Sequence, residues 1–180
     1  PFRAIAHNGE INTYKGNKNW MKVHEQEMNS PLFENIENLK PVIQQGASDS
    51  AALDNVFELL NISGQPAPLA KLMLVPDAWS KKSKTLPKDH QQLFNFLNST
   101  MEPWDGPAAI AGTDNEWVIA ANDRNGLRPL RYAITKDNLL FAGSETGMIE
   151  LNEKKIISKG RLGPGEIIGV RIEKGKVFNN

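Results

Sequence analysis

Asn8 and Gly9 are neighbouring residues whose types could stabilise a negatively charged oxygen. A side-chain amide and an adjacent glycine N–H are two neutral donors, and two such donors about 3 Å from a reacting carbonyl oxygen form an oxyanion hole. The same dipeptide is also the strongest short signal for a hairpin turn, because both residues tolerate positive φ. By itself, the pair therefore indicates a turn more strongly than a catalytic site. An apolar strand over residues 2–6 is predicted to lead into it.

Asp49 is a second residue that could meet a ligand. It follows Ser48, a favourable helix N-cap, and opens the segment with the clearest helical periodicity, in which four apolar residues recur at spacings of three and four: Leu53, Val56, Phe57 and Leu60. A carboxylate at the start of a helix is stabilised by the helix dipole, so a purely structural role explains Asp49. One of its oxygens could still face a ligand. The sequence leaves both roles open.

The chain is predicted to be helical first and to form β-hairpins later. Helices are predicted over residues 17–28, 48–60, 67–74 and 87–101, with a polar loop over residues 77–85. Strands are predicted over residues 117–121, 128–134, 139–142, 166–172 and 176–178, with Asn125-Gly126 as the turn of the first hairpin. We treat residues 1–180 as part of one domain, helix-rich over 1–104 and hairpin-rich over 105–180.

This order of elements favours an α+β fold in which helices cover an antiparallel sheet. The apolar face of the segment from Ser48 to Leu60 is expected to pack against residues of the predicted strands, namely Val118, Ile119, Ile134 and Leu140. In the turn segment, Arg128 is expected to form an ion pair with Asp123 or Glu145, and its role is expected to be structural.

Composition excludes several classes of function. The 21 basic and 21 acidic residues give zero net charge, whereas a nucleic-acid-binding surface normally shows a basic excess. No apolar stretch approaches the roughly 20 residues that span a bilayer. The sequence contains no cysteine, which removes disulfides and thiolate metal sites within these residues. Its three histidines have no metal-ligand spacing, so no metal site is predicted: His7, His24 and His90.

Four ordered blocks carry a family resemblance. They contain His7-Asn8-Gly9-Glu10, Ser48-Asp49-Ser50, Pro103-Trp104-Asp105-Gly106 and Asp123-Arg124-Asn125-Gly126, and the similarity continues through residues 159–165. The chain closely resembles the class II glutamine amidotransferase domain of glutamate synthase large subunits. That resemblance implies an N-terminal nucleophile hydrolase fold, an α/β/β/α sandwich.

The resemblance also implies roles for individual residues. Asn8 and Gly9 match the family's oxyanion hole, and Asp49 matches the residue that holds the α-amino group of glutamine. The arginine that binds the glutamine carboxylate is expected upstream of Pro1, and Arg3 is not a candidate for that role. The implied reaction hydrolyses glutamine to glutamate and ammonia, and the ammonia then serves glutamate synthesis from 2-oxoglutarate.

No cofactor is expected in these residues. The parent protein is expected to use FMN, an iron–sulfur cluster and NAD(P)H or ferredoxin, bound by its remaining domains. A cytoplasmic location is expected, or a plastid if the source is a photosynthetic eukaryote. Neither nucleic acid nor a membrane is expected as a partner.

One departure from the family pattern concerns the nucleophile. The family attacks glutamine with a first-residue cysteine, whereas position 1 is Pro1 and the sequence has no cysteine. We therefore expect an incomplete sandwich, inactive alone, whose uncovered strands favour self-association. Two alternatives are a non-catalytic module for glutamine binding or subunit contact, and the amidotransferase domain of another class II enzyme.

Overall fold

A computed structural model describes residues 2–78 and 86–179. The predicted loop over residues 77–85 therefore lies largely outside the described residues. The helices of the described part are α1 Tyr14–Glu27, α2 Asp49–Ile62, α3 Ala67–Leu74 and α4 Lys88–Thr100. Its strands are β1 Ile5–Gly9, β2 Ala108–Thr113, β3 Trp117–Asn122, β4 Arg131–Thr135, β5 Leu140–Gly143, β6 Ile156–Arg161, β7 Ile167–Arg171 and β8 Lys176–Asn179.

All four predicted helices are confirmed, with ends that differ by a few residues. The clearest is α2, where the Ser48 side chain accepts a hydrogen bond from the Ala51 N–H at 3.1 Å, as expected of an N-cap. The four apolar residues of its predicted inner face are all buried: Leu53, Val56, Phe57 and Leu60.

The strands form two antiparallel sheets. One has five strands in the order β1-β2-β3-β7-β8, and the other has three in the order β5-β4-β6. The predicted hairpins β4–β5 and β7–β8 are confirmed. The strands β2 and β6 were not predicted. For β2 the reason is its composition, since it consists mostly of alanine, glycine and threonine and shows little apolar alternation.

The prediction that Asn125-Gly126 closes a hairpin is wrong. The strands before and after it, β3 and β4, belong to different sheets, so the intervening segment crosses from one sheet to the other. Buried Asp123 shapes this crossing, since its side chain accepts the backbone N–H groups of Asn125 and Leu127, each at 3.0 Å. A turn-forming dipeptide therefore serves a change of sheet here.

The five-stranded sheet is covered on both faces. On one face, Ile110 and Ile119 join the apolar side chains of the helices in a single cluster. On the other, Ala109, Ala120 and Ile168 pack against the three-stranded sheet. The described residues thus form helix, sheet and sheet layers, which confirms the α+β prediction and accounts for three layers of the implied sandwich.

The predicted packing of α2 is confirmed for one strand residue and wrong for the others. Ile119 lies in the cluster with Leu53 and Phe57. Val118 is 47% exposed, whereas Ile134 and Leu140 pack in the layer between the two sheets. The reason is that β4 and β5 lie in the second sheet, which the five-stranded sheet separates from α2.

Within residues 2–78 and 86–179, every helix is too short or too polar to cross a bilayer.

Candidate active site

Asn8 and Gly9 lie in a strand and form no hairpin turn. They end β1, an edge strand, where Asn8 pairs with Ala109 and Gly9 with Ala108. The turn prediction is therefore wrong, and the strand predicted over residues 2–6 is found three residues later. The partner strand comes about one hundred residues further along the chain, so no local pattern reports this pairing. Both residues are exposed, which leaves the end of β1 open to a ligand.

The backbone at Gly9 requires glycine. Its φ is +153°, and a Cβ there would lie 1.8 Å from the carbonyl oxygen of Pro107. That same carbonyl accepts the Glu10 N–H at 2.9 Å. Gly106 makes the reciprocal approach, since a Cβ on it would lie 2.0 Å from the Glu10 carbonyl oxygen. Two glycines thus allow the end of β1 to lie against the loop before β2.

The Asn8 side chain is held by an arginine. The Nη2 group of Arg128 donates to Asn8 Oδ1, and among the residues described the Asn8 amide nitrogen has no hydrogen-bond partner. The predicted ion pair of Arg128 with Asp123 or Glu145 is therefore wrong. Instead, Asp123 Oδ2 accepts the backbone N–H of Arg128 at 3.0 Å, which leaves the guanidinium free to reach Asn8.

Asp49 connects the start of α2 to the end of β1. Its Oδ2 accepts the Ile11 N–H at 2.8 Å, and Oδ1 receives a longer contact of 3.4 Å from the Ser50 hydroxyl. Burial alone would raise the pKa of Asp49, but the Ile11 and Ser50 backbone donors and the nearby His7 outweigh it, so the pKa is lowered. A carboxylate that stays ionised is the form that an ammonium group would bind.

His7 is a site residue that sequence reasoning missed. Its Nδ1 lies 2.6 Å from the Ser50 hydroxyl, so it also joins β1 to α2. Burial lowers the pKa of His7, the positive charge of Arg128 lowers it further, and Asp49 opposes the fall. Its Nε2 is buried and lacks a partner among the described residues. The only sequence signal for this role was its position directly before Asn8.

The described residues do not fit the cofactors implied for the parent. Iron–sulfur clusters are held by cysteine thiolates, and the sequence has none. No group of three or more potential metal ligands occurs within residues 2–78 and 86–179. Phosphate-binding loops need free backbone N–H groups. In the glycine-rich turn, however, the Gly163 N–H donates to Glu166 at 2.7 Å and the Gly165 N–H to the Asp123 carbonyl at 2.7 Å.

The family model of class-II glutamine amidotransferases matches residues 1–180. The large chain of the NADPH glutamate synthase of Azospirillum brasilense is 55% identical over 181 residues, which cover 100% of this chain and 12% of that protein. The large chain of the Bacillus subtilis NADPH enzyme is 39% identical, with 100% and 12% covered. The chloroplastic ferredoxin-dependent glutamate synthase 2 of Arabidopsis thaliana is 43% identical, with 100% and 11% covered.

Among solved structures, glutamine phosphoribosylpyrophosphate amidotransferase from Bacillus subtilis, complexed with ADP and GMP, aligns with a TM-score of 0.49 and 19% identity. The alignment covers 98% of this chain and 28% of that one.

Proposed function

This chain belongs to the class II glutamine amidotransferases, and we propose that it contributes the oxyanion hole and part of the substrate pocket to the glutaminase site of a glutamate synthase. The chain spans 12% of the length of its Azospirillum relative, so the activity of the whole protein is part of this proposal. One observation carries the proposal: three residues come together where β1 ends and α2 begins. They are the exposed Asn8 and Gly9, and Asp49, whose carboxylate accepts a hydrogen bond from the Ile11 N–H.

In the proposed reaction, a cysteine thiolate attacks the side-chain carbonyl carbon of glutamine. Since residues 1–180 contain no cysteine, the nucleophile comes from outside them. The carbonyl oxygen becomes negatively charged, and the Asn8 amide and the Gly9 N–H donate hydrogen bonds to it. The C–N bond then breaks, the nitrogen takes a proton and leaves as ammonia, and water hydrolyses the thioester to glutamate. Asp49 binds the α-ammonium group throughout.

The substrate and the partner domains follow from the same proposal. Glutamine is the substrate, and the ammonia passes to remaining glutamate synthase domains that act on 2-oxoglutarate. FMN, an iron–sulfur cluster and NAD(P)H or ferredoxin would be bound by those domains. Self-association of this chain, and a cytoplasmic or plastid location, stay predictions.

The 180-residue chain by itself is expected to release no ammonia from glutamine. Its serines are not at a free N-terminus, where an α-amino group could act as base, and no thiol is present. Ammonia would be measured against a buffer control and against the full-length protein. Activity of the short chain would refute the need for an outside nucleophile, whereas an inactive full-length protein that still binds glutamine would favour the non-catalytic module.

Asp49→Asn in the full-length protein is expected to raise KM for glutamine about 10- to 100-fold with little change in kcat, because it removes a charge-assisted bond to the ammonium group. Asparagine keeps an oxygen for the Ile11 N–H, so local structure should persist. Asp89→Asn is the matched control, since Asp89 is an exposed carboxylate in the first turn of α4. An unchanged KM would exclude Asp49 from substrate binding.

A further inference from the structure

We propose that Arg128 is a positioning residue that holds the Asn8 amide with its nitrogen towards the substrate. This inference rests on the proposed function, because it explains how one oxyanion donor is kept ready. Arg128 does not need to touch glutamine. It acts through Asn8, 120 residues earlier in the chain, by donating from Nη2 to Oδ1.

The chemistry of the two groups selects one orientation of the amide. A guanidinium carries only donors, whereas an asparagine amide has an accepting oxygen on one side and a donating nitrogen on the other. If the amide flipped, its NH₂ group would face the guanidinium donors, and both would lose a hydrogen bond. The flip is therefore disfavoured, and Nδ2 stays on the side away from Arg128. The positive charge beside Oδ1 also polarises the amide, which makes its N–H groups stronger donors.

Arg128 is itself anchored to the strand that borders the oxyanion hole. Asp123 Oδ2 accepts the Arg128 N–H at 3.0 Å and the Ala108 N–H at 3.1 Å. Ala108 is the register partner of Gly9. One buried carboxylate thus fixes the arginine backbone relative to both donors of the site. Leu130, which is 5% exposed, secures the chain on the other side of Arg128.

The charge of Arg128 also affects the residue that precedes Asn8. It contributes to the lowered pKa of His7, after the larger effect of burial. In the proposed role, this charge acts on the oxyanion through the Asn8 amide that it holds and polarises.

The test is a double-mutant cycle on glutamine hydrolysis by the full-length protein. Arg128→Ala is expected to lower kcat about 10- to 100-fold with KM little changed, since a misplaced catalytic group costs on that order. Adding Arg128→Ala to Asn8→Ala should cause little further loss, because the arginine acts only through that side chain. Arg128→Lys should recover part of kcat, as an ammonium group also only donates. Arg124→Ala, in the same segment, is the matched control and should leave kcat unchanged.

Several outcomes would overturn the inference. Additive losses in the double variant would mean that Arg128 acts independently of Asn8. A raised KM with unchanged kcat would mean that it binds substrate directly. If Arg128→Ala fails to fold, Arg128→Lys is compared with Arg128→Met. Equal kcat in these two variants would show that the site does not need a hydrogen-bond donor at this position. Failure of the proposed function is distinguishable, because Asn8→Ala alone would then leave kcat unchanged.

Discussion

Asn8→Ala in the full-length protein is expected to lower kcat for glutamine hydrolysis by about 10²- to 10³-fold while KM changes little. The Asn8 amide would bind the carbonyl oxygen only once that oxygen is charged, so its loss affects the transition state more than the bound substrate. The structure adds a reason for a large effect. The amide oxygen is already engaged by Arg128, and the nitrogen is left for the substrate. Steady-state kinetics of ammonia release would measure both constants.

Asn12→Ala provides the control for this variant, since Asn12 is an exposed asparagine just beyond the end of β1. Its backbone N–H, which the substitution retains, donates to the Asp105 carbonyl at 2.8 Å. We expect near-normal kcat from it. If Asn8→Ala instead raised KM and left kcat unchanged, Asn8 would contribute to ground-state binding and the oxyanion assignment would be wrong.

Asp123→Asn is expected to destabilise the 180-residue chain by about 3–5 kcal/mol, as is usual when one partner of a buried charged network is removed. The Asp123 side chain is 1% exposed and accepts four backbone N–H groups, two on each oxygen, those of Ala108, Asn125, Leu127 and Arg128. An asparagine would turn one of those oxygens into a donor that faces two N–H groups. Both donors would lose their acceptor in a buried setting.

A buried lysine adds to the expected loss. Burial lowers the pKa of Lys71 to about 8, and the charges of Asp77 and Asp123 oppose that fall. The Lys71 ammonium donates to the Gly165 carbonyl at 2.8 Å, which joins α3 to this loop. Without the Asp123 charge, the protonated form would be less stable. The substitution therefore weakens the turn at Asp123 and the loop at Gly165 together.

Urea unfolding followed by tryptophan fluorescence would measure this change, because Trp104 is buried in the helix-side cluster. Asp137→Asn is the control, since Asp137 is a solvent-exposed carboxylate in the β4–β5 turn. We expect it to stay within about 0.5 kcal/mol of the parent chain. A loss below about 1 kcal/mol for Asp123→Asn would show that the N–H groups find other partners.

Local elements were predictable from the sequence because their causes are local. The apolar spacing of α2 and the Ser48 cap lie within a few residues of each other, and the β4–β5 and β7–β8 hairpins join strands that are neighbours in the chain. The family resemblance added Asn8, Gly9 and Asp49, which no periodicity could have singled out. For α2 and the two hairpins, residues that are close together in the sequence determine the structure.

Only the tertiary structure decided which strands pair and which side chains meet at the site. Asn8-Gly9 and Asn125-Gly126 both have the sequence of a hairpin turn, yet the first lies in a strand paired with β2 and the second in a segment that changes sheets. The contact between Asn8 and Arg128 joins residues 120 positions apart. The low strand propensity of Asn and Gly amounts to about 1 kcal/mol or less, so a buried sheet face and a satisfied carboxylate such as Asp123 outweigh it.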